Sequence, residues 1–519
     1  MTALMSAAES SFPSPQLEYN LLAPVLIILG AAAIGVLIEA FLPRRMRFRA
    51  QLVVTFGGLI AAAVALLLAN TQDAIIAEGA LAWDGPARYL QGLVLVLSFV
   101  AFLLFTERKV DPGRDPFAPR VSAIPGSDEE RVLTLKAVQQ TEVYPLALFS
   151  VSGMMLFPAA NDLLMMFIAL EVLSLPLYLL AGMARRRRLL SQEAALKYFL
   201  LGAYSSAFFL FGSALIYGYS GSLEFAQIAV ATGSSTASET LLLGGIGLIA
   251  VGLLFKVGAA PFHEWTPDVY QGAPTAVTAF MAAATKVAAF GALLRIFYVA
   301  FGGVRFDWRP MMFVIAALTM VVGVVFALTQ SDIKRMLAYS SVAHAGFLLT
   351  GVVAATTMGT ASVLFYLVAY GFSTIGAFGI VTLVRDGAGE ATHLSQWAGL
   401  GKRSPGVAAM FALFLLAMAG IPLTSGFPAK FFVFEAAADS GATWLVVIGV
   451  IASAVAGFFY VRVILLMFFT EPQDDTTTVA IPSLATAMAL AVCVGVTVVL
   501  GVFPQIGIEV AERASLFVR

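Results

Sequence analysis

The chain has 519 residues, 60% of them hydrophobic and only 12% charged, with a net charge of -1 and a mean hydropathy of +0.92. Soluble domains are roughly half apolar and about a quarter charged, so this composition argues against a soluble globular protein, and the absence of a basic excess argues against nucleic-acid binding. A single cysteine, Cys493, and three histidines, His263, His344 and His393, cannot supply the four thiolates an iron–sulfur cluster usually needs. Redox chemistry, if coupled to this chain, belongs to other subunits.

A spanning helix takes about 20 mostly apolar residues. Residues 1–21 are polar without a basic n-region, which argues against a cleaved signal peptide and leaves the first span as an anchor. In chain order the expected spans are 22–42, 50–69, 88–106, 143–160, 162–183, 193–219, 240–271, 274–300, 309–330, 333–354, 361–384, 404–437, 442–469 and 479–503. These define an all-α polytopic membrane protein of about 14 transmembrane helices. The stretch 107–142, with its Pro, Gly and mixed charge, reads as a solvated loop suited to connection or subunit contact, and 471–478 (EPQDDTTT) as a short polar link.

The cations are distributed unevenly. One side holds Arg44, Arg45, Arg47, Arg49, six Lys and Arg in 107–142 (Arg114 and Lys136 among them), Arg185–Arg188, Lys334, Arg335, Arg385, Lys402 and Arg403, which makes 19. The opposite side holds 5: Arg88, Arg305, Arg309, Arg513 and Arg519. The positive-inside rule then puts both termini outside the cytoplasm.

Charges within spans are costly, about 2.5–3.5 kcal/mol each on insertion scales. Glu171 (fifth span), Lys256 (seventh), Lys286 (eighth) and Lys430 (twelfth) lie too deep to snorkel cheaply and suggest a proton path. Glu39, Arg295 and Arg462, near span ends, are expected to snorkel or pair locally. Lys197 stands four residues after Glu193, an ordinary helical pair, yet also points toward Tyr198, Tyr204, Ser205 and Ser206. His263 and His344 suit a relay because histidine changes charge near neutral pH, whereas His393 lies in a loop and reads as solvated.

The seventh and twelfth spans are too long for one straight crossing. Pro261 interrupts the first, and Pro422, Gly426 and Pro428 the second, so both should be broken at membrane depth, as transporters break helices beside ion sites. Their five-span separation suggests two inverted five-helix repeats. The organisation is then 1–142, an N-terminal three-helix segment with its loop; 143–300, the first repeat; 309–469, the second; and 479–519, the last helix and tail.

The run KVGAAPFHEWTPDVYQGAPTAVTAFMAAATKVAAF at 256–290, with SDIKRMLAYSSVAHAGF and GIPLTSGFPAKFFVF further on, resembles the antiporter-like membrane subunits of respiratory complex I, the NADH:quinone oxidoreductases. The segment PFHEWTPDVYQGAPT is similar to the N type in particular, and a lysine rather than a glutamate at 430 speaks against the M type. The resemblance covers nearly the whole chain. It implies that Glu171, Lys256, Lys286 and Lys430 are the buried proton-relay residues, with Lys197, His263 and His344 as secondary relay positions.

By the same resemblance, NADH, FMN, iron–sulfur clusters and quinone are handled by partner subunits, and this chain carries no cofactor. Expected partners are the M-type and small membrane subunits and the lateral helix of the L-type subunit, which this chain lacks, since 16 residues follow its last span. The expected location is a bacterial cytoplasmic membrane. In the relay so implied, Glu171 and Lys256 form a buried pair on neighbouring helices, Lys286 takes the proton from Lys256, and Lys430 passes it on. Two other readings compete: a subunit of a stand-alone cation/proton antiporter or membrane-bound hydrogenase, and a scaffold whose charges merely pair helices.

Overall fold

A computed structural model describes residues 17–518 except 111–114, 119, 121, 125, 136–138, 235–237, 388 and 472–476. Arg114, Lys136, Arg519, residues 1–16 and most of the 471–478 link therefore lie outside the described residues.

The spans form as expected, with shifted ends. They are α1 (Tyr19–Phe41), α2 (Arg44–Leu68), α3 (Gly85–Phe105), α4 (Val143–Leu156), α5 (Leu163–Ala181) and α6 (Arg188–Ser220). The seventh splits into α7a (Glu239–Val257) and α7b (Trp265–Gly272), followed by α8 (Thr275–Ala300), α9 (Arg305–Thr329), α10 (Ile333–Ala354) and α11 (Thr357–Leu383). The twelfth splits into α12a (Pro405–Ala419) and α12b (Gly426–Asp439), before α13 (Thr443–Phe469), α14 (Leu484–Val502) and the surface helix α15 (Pro504–Arg513). In a bilayer core only helices satisfy every backbone group internally, and polar caps fix where several begin. Asp84 accepts from Ala87 N (3.0 Å), Asp162 from Met165 N (2.6 Å) and Asp332 from Lys334 N (2.9 Å) and Arg335 N (3.0 Å).

Strands are confined to the ends of the bundle. A hairpin, β1 (Ala74–Ile76) with β2 (Leu81–Trp83), joins α2 to α3, and β3 (Val384–Asp386) pairs with β4 (Gly389–Glu390) and β5 (Thr478–Val479) on the other side. Within the bundle α8 is buried along its whole length and α10 and α11 along nearly all of it, whereas α1, α2, α13 and α14 keep broad apolar faces outward. The buried axis therefore runs through α8, α10 and α11, flanked by the two broken helices.

Both breaks occur, one where Pro261 lies and the other slightly earlier than expected. The first occupies 258–264, beginning at Gly258 with φ +73°. The second is 420–425, beginning at Gly420 with φ +83°, and Pro428 falls within the first turn of α12b. First-turn amides have no intrahelical acceptor, so a proline there breaks nothing.

Several expectations for the polar periphery need correction. Arg44, Arg45, Arg47 and Arg49 belong to the first turns of α2, not to a preceding loop. The described part of 107–142 is not simply solvated: Phe117 and Ala118 are buried, Ala118 N donates to Met183 O (2.8 Å), and Asp115 forms a buried ion pair with Arg185 (2.7 Å). Arg188 likewise donates to Arg120 O (3.1 Å) and Ala123 O (3.3 Å), so the arginine run latches this segment to the bundle.

Arg295 does not snorkel. It is fully buried and pairs in a two-pronged arrangement with Asp84 (2.7 and 3.0 Å), while its Nε donates to Pro158 O (2.5 Å). Asp84 also accepts from Val518 N (3.1 Å), so one ion pair pins the start of α3, the end of α4, the end of α8 and the C-terminal tail. Glu39 pairs locally with Arg47 (3.2 Å) and accepts from Gln51 (2.8 Å), as expected, and Arg462 reaches outward to Leu328 O (3.4 Å).

Candidate functional site

Lys256 occupies the last turn of α7a, where the carbonyl end of a helix favours a cation, and only 2% of its surface is exposed. Its Nζ donates to Ser174 Oγ (2.7 Å) and Tyr178 OH (3.3 Å), both on α5. Ser174 in turn donates to Leu170 O within its own helix. Glu171 stands one turn before Ser174 on α5, half-buried, and its Oε1 is buried without a hydrogen-bond partner. The expected direct Glu171–Lys256 pair is absent: no ion pair joins them, and Lys256 instead reaches Ser174, one turn further along α5.

Lys286 is where α8 returns to α-helix after a π-helical turn at Met281–Thr285. Such turns release a backbone carbonyl and recur at functional sites. The Nζ donates to Ser341 O (2.5 Å) and Ser341 Oγ (2.7 Å) on α10 and sits 5.0 Å from the centre of the Tyr370 ring. Tyr370 OH donates to the same Ser341 Oγ (2.7 Å).

His344, one turn after Ser341 and buried, lies beside Tyr370 (ring centres 5.3 Å apart), with Nδ1 2.7 Å from Tyr366 OH and Nε2 3.4 Å from Tyr460 OH. Tyr460 also hydrogen-bonds Ser340. Lys430 follows on α12b: its Nζ donates to Ala419 O (2.9 Å), the last carbonyl of α12a, and to Ser453 Oγ (2.8 Å), and it lies 4.7 Å from the Phe347 ring centre. Gly420 makes this reach feasible, because its φ of +83° turns the chain and a Cβ there would lie 2.9 Å from Lys430 Cδ.

The structure thus brings Lys286 and His344 together around Ser341 and Tyr370, with Lys430 beyond Phe347, and brings Glu171 and Lys256 together around Ser174. The other two residues stand apart. Lys197 is half-exposed and ion-paired with both Glu193 (2.7 Å) and Asp268 (2.7 Å), and Asp268 also binds Arg335 (2.7 Å). His263, partly exposed in the first break, packs near Tyr339 with Nδ1 unpartnered. Lys334, expected among the loop cations, is buried in the first turn of α10 and donates to Ala273 O (2.9 Å) and Thr275 Oγ1 (2.9 Å). Sequence reasoning missed Ser174, Ser341, Tyr366, Tyr370, Ser453 and Tyr460. Only the i,i+4 spacing of Tyr366 and Tyr370 carried a signal, since it places both on one helical face.

A bundle with two broken helices and a line of buried lysines between them is the architecture of an antiporter-like membrane subunit, and three comparisons bear on which kind. Residues 160–456 match the family described as NADH:quinone oxidoreductase/Mrp antiporter, TM. The chain is 61% identical to NADH-quinone oxidoreductase subunit N of Rhodococcus opacus (99% of this chain, 98% of that one) and 56% identical to that of Acidothermus cellulolyticus (100% of both). Among solved structures it is similar to a chain of respiratory complex I from Thermus thermophilus with bound aureothin (33% identity, TM-score 0.75, 94% of this chain and 99% of that one). It also shares the fold of a chain of the Mrp complex from Dietzia sp. (22% identity, TM-score 0.77, 96% of this chain and 97% of that one). The chain belongs to the NADH-quinone oxidoreductase subunit N family.

Proposed function

We propose that this chain is the proton-translocating subunit N of an NADH:quinone oxidoreductase, and that Glu171, Lys256, Lys286 and Lys430 relay the proton, with His344 as a further station. The observation that carries this reading is a contrast within the molecule. Lys256, Lys286 and Lys430 are 2%, 4% and 4% exposed, and each is hydrogen-bonded only to hydroxyls or carbonyls. Arg295, equally buried, has a carboxylate. A cation that merely ties helices together is expected to be paired, because burying an unpaired charge is costly; a cation whose charge must come and go is served by neutral partners.

In this reading Ser174 passes protons between Glu171 and Lys256, and Ser341 with Tyr370 and His344 links Lys286 toward Lys430. Moving one charge across 100 mV takes about 2.3 kcal/mol, so quinone reduction in partner subunits drives the cycle. NADH, FMN, iron–sulfur clusters and quinone are handled in those partners, among them M-type and small membrane subunits and the L-type lateral helix. Residues 143–300 and 309–469 act as the two inverted repeat units. Lys197 and His263 have a smaller share in the relay. Relatives named subunit N match the full chain at 54–61% identity, which favours this assignment over a stand-alone antiporter or hydrogenase subunit.

The protein sits in a bacterial cytoplasmic membrane with both termini outside, as the 19 to 5 cation distribution supports. After removal of Cys493, a single cysteine near Arg186 should resist an impermeant maleimide added to intact cells; ready labelling would reverse the orientation. The relay is tested by Lys256→Arg. Arginine retains the charge yet effectively cannot release a proton. The variant should assemble while proton translocation in proteoliposomes, and the quinone reduction coupled to it, both fall; assembled enzyme pumping at the wild-type rate would show that Lys256 need not deprotonate.

A further inference from the structure

Each of the three buried lysines without a carboxylate lies over an aromatic face. Lys430 Nζ is 4.7 Å from the centre of the Phe347 ring, and Lys286 Nζ is 5.0 Å from that of Tyr370. Lys256 Nζ is 5.4 Å from the Tyr178 ring centre, 5.7 Å from that of Phe255 and 5.9 Å from that of Tyr198. A cation within about 6 Å of a ring face is attracted by the ring quadrupole, more strongly when both are out of water. Two other buried cations are served differently. Lys334 has Glu390 at 3.8 Å, and Arg295, although it also faces the Phe517 ring at 5.0 Å, is paired with Asp84 at 2.7 Å.

The rings are held by packing of their own. Tyr198 stacks on Trp265 (centres 4.7 Å apart, planes at 9°) and meets Tyr178 edge-on (4.6 Å, 90°), while its buried hydroxyl has no hydrogen-bond partner. What Tyr198 brings near Lys256 is therefore a ring and not a hydrogen bond. Phe347 makes the same point more simply, because it has no polar atom at all. It is 1% exposed and stands edge-to-face with His344 (5.8 Å) and with Phe434 (6.0 Å).

The surroundings of Lys430 contain no competing anion. Of the helices packed against α12b, α10 brings Lys334 in its first turn and His344 further on, α11 brings Tyr366 and Tyr370, α13 Tyr460 and α14 Cys493 to the interior, and α12a carries no titratable residue. None of these is a carboxylate, and the acids of α12b itself, Glu435 and Asp439, are exposed. A carboxylate beside the ammonium would hold its proton firmly, whereas a ring face offers a weaker attraction that lets the proton leave.

We propose that aromatic faces take the place of counter-ions for the three lysines, and that Phe347 is a positioning residue that stabilises charged Lys430 through the face of its ring. The contact stands on geometry; its use in proton transfer rests on the relay reading.

The test replaces Phe347 in the assembled complex by monofluoro- and trifluorophenylalanine, which keep the ring nearly isosteric while draining negative potential from its face, and by leucine. The ammonium bending band of Lys430, identified by 15N-lysine labelling as the band missing from Lys430→Arg, is titrated in the resting complex, and proton translocation is measured over the same pH range. Loss of the ring attraction should disfavour the charged lysine by roughly two- to thirtyfold, the size of a cation–π contact from exposed to desolvated. The band is then lost at lower pH than in the wild type, in the order monofluoro, trifluoro, leucine, and the alkaline limb of translocation moves with it. The fluorinated rings decide the question even where leucine unsettles the packing. A wild-type titration with the trifluoro ring, or translocation that falls equally at every pH while the band stays in place, would show that Phe347 acts by bulk alone and overturns the proposal. A band that moves while translocation keeps its wild-type profile supports the contact and counts against the relay at Lys430, so the two failures are told apart.

Discussion

Lys286→Met should assemble at normal levels with undiminished heat stability, while proton translocation falls by about a hundredfold or more, the range contributed by one positioned proton-transfer group. Methionine matches the lysine stem in length and flexibility, so it fills the same slot between α8 and α10. It removes an ammonium whose partners are the Ser341 carbonyl and hydroxyl. Neither is left stranded, because Tyr370 OH still donates to Ser341 Oγ and the carbonyl keeps its place in α10. Burying a thioether costs less than burying a charge, so stability is maintained as function is lost. Proton uptake by reconstituted vesicles, set against a melting curve of the purified complex, shows both; a variant that pumps normally, or one that fails to assemble, contradicts the assignment.

Arg295→Met should behave in the opposite way. Removing the guanidinium leaves Asp84 as a buried charge facing no cation, and breaking such a pair typically costs about 3–5 kcal/mol. It also removes the donor to Pro158 O and loosens the start of α3, whose first turn Asp84 caps. Recovery of assembled protein is expected to collapse, with the remaining complexes retaining their turnover because no relay group is touched. Adding Asp84→Leu to Arg295→Met should restore much of the loss, since two apolar side chains leave no charge uncompensated. The measurement is the amount of subunit in the intact complex, and a single variant that assembles normally would show the pair to be dispensable.

How much of this was legible in the sequence depended on how far each signal reached. Lys256, Lys286 and Lys430 stand out because a cation in an apolar run of 20 residues is conspicuous wherever it ends up. The breaks were legible because proline and glycine act on the backbone locally, although Pro428 was assigned to a break it only follows. Their partners were not legible. Ser174, Ser341 and Ser453 are ordinary residues in membrane helices, and which of many serines meets a lysine is decided by helix rotation and packing rather than by spacing along one strand of sequence.

The same limit explains the remaining errors. Arg295 and Asp84 are 211 positions apart, so Arg295 looked like a helix-end cation when it is the most enclosed one in the described structure. Lys334, counted as a loop cation, turns inward to Ala273 and Thr275 because α7b and α8 meet over the start of α10. The resemblance implies a direct Glu171–Lys256 pair, whereas the shorter Ser174 side chain, one turn along the same helix, takes the lysine.

The central claim is that buried lysines lose and regain protons during turnover, and infrared difference spectroscopy of the assembled complex tests it most directly. Lysines labelled with 15N shift the bending bands of the ammonium group, so bands that move with the label identify lysine when quinone reduction is triggered. The account predicts label-sensitive ammonium bands that appear and disappear with the redox cycle and that weaken in Lys256→Arg and Lys286→Arg. Spectra in which no lysine band responds to turnover, or in which the responding bands are unchanged in both arginine variants, would contradict it.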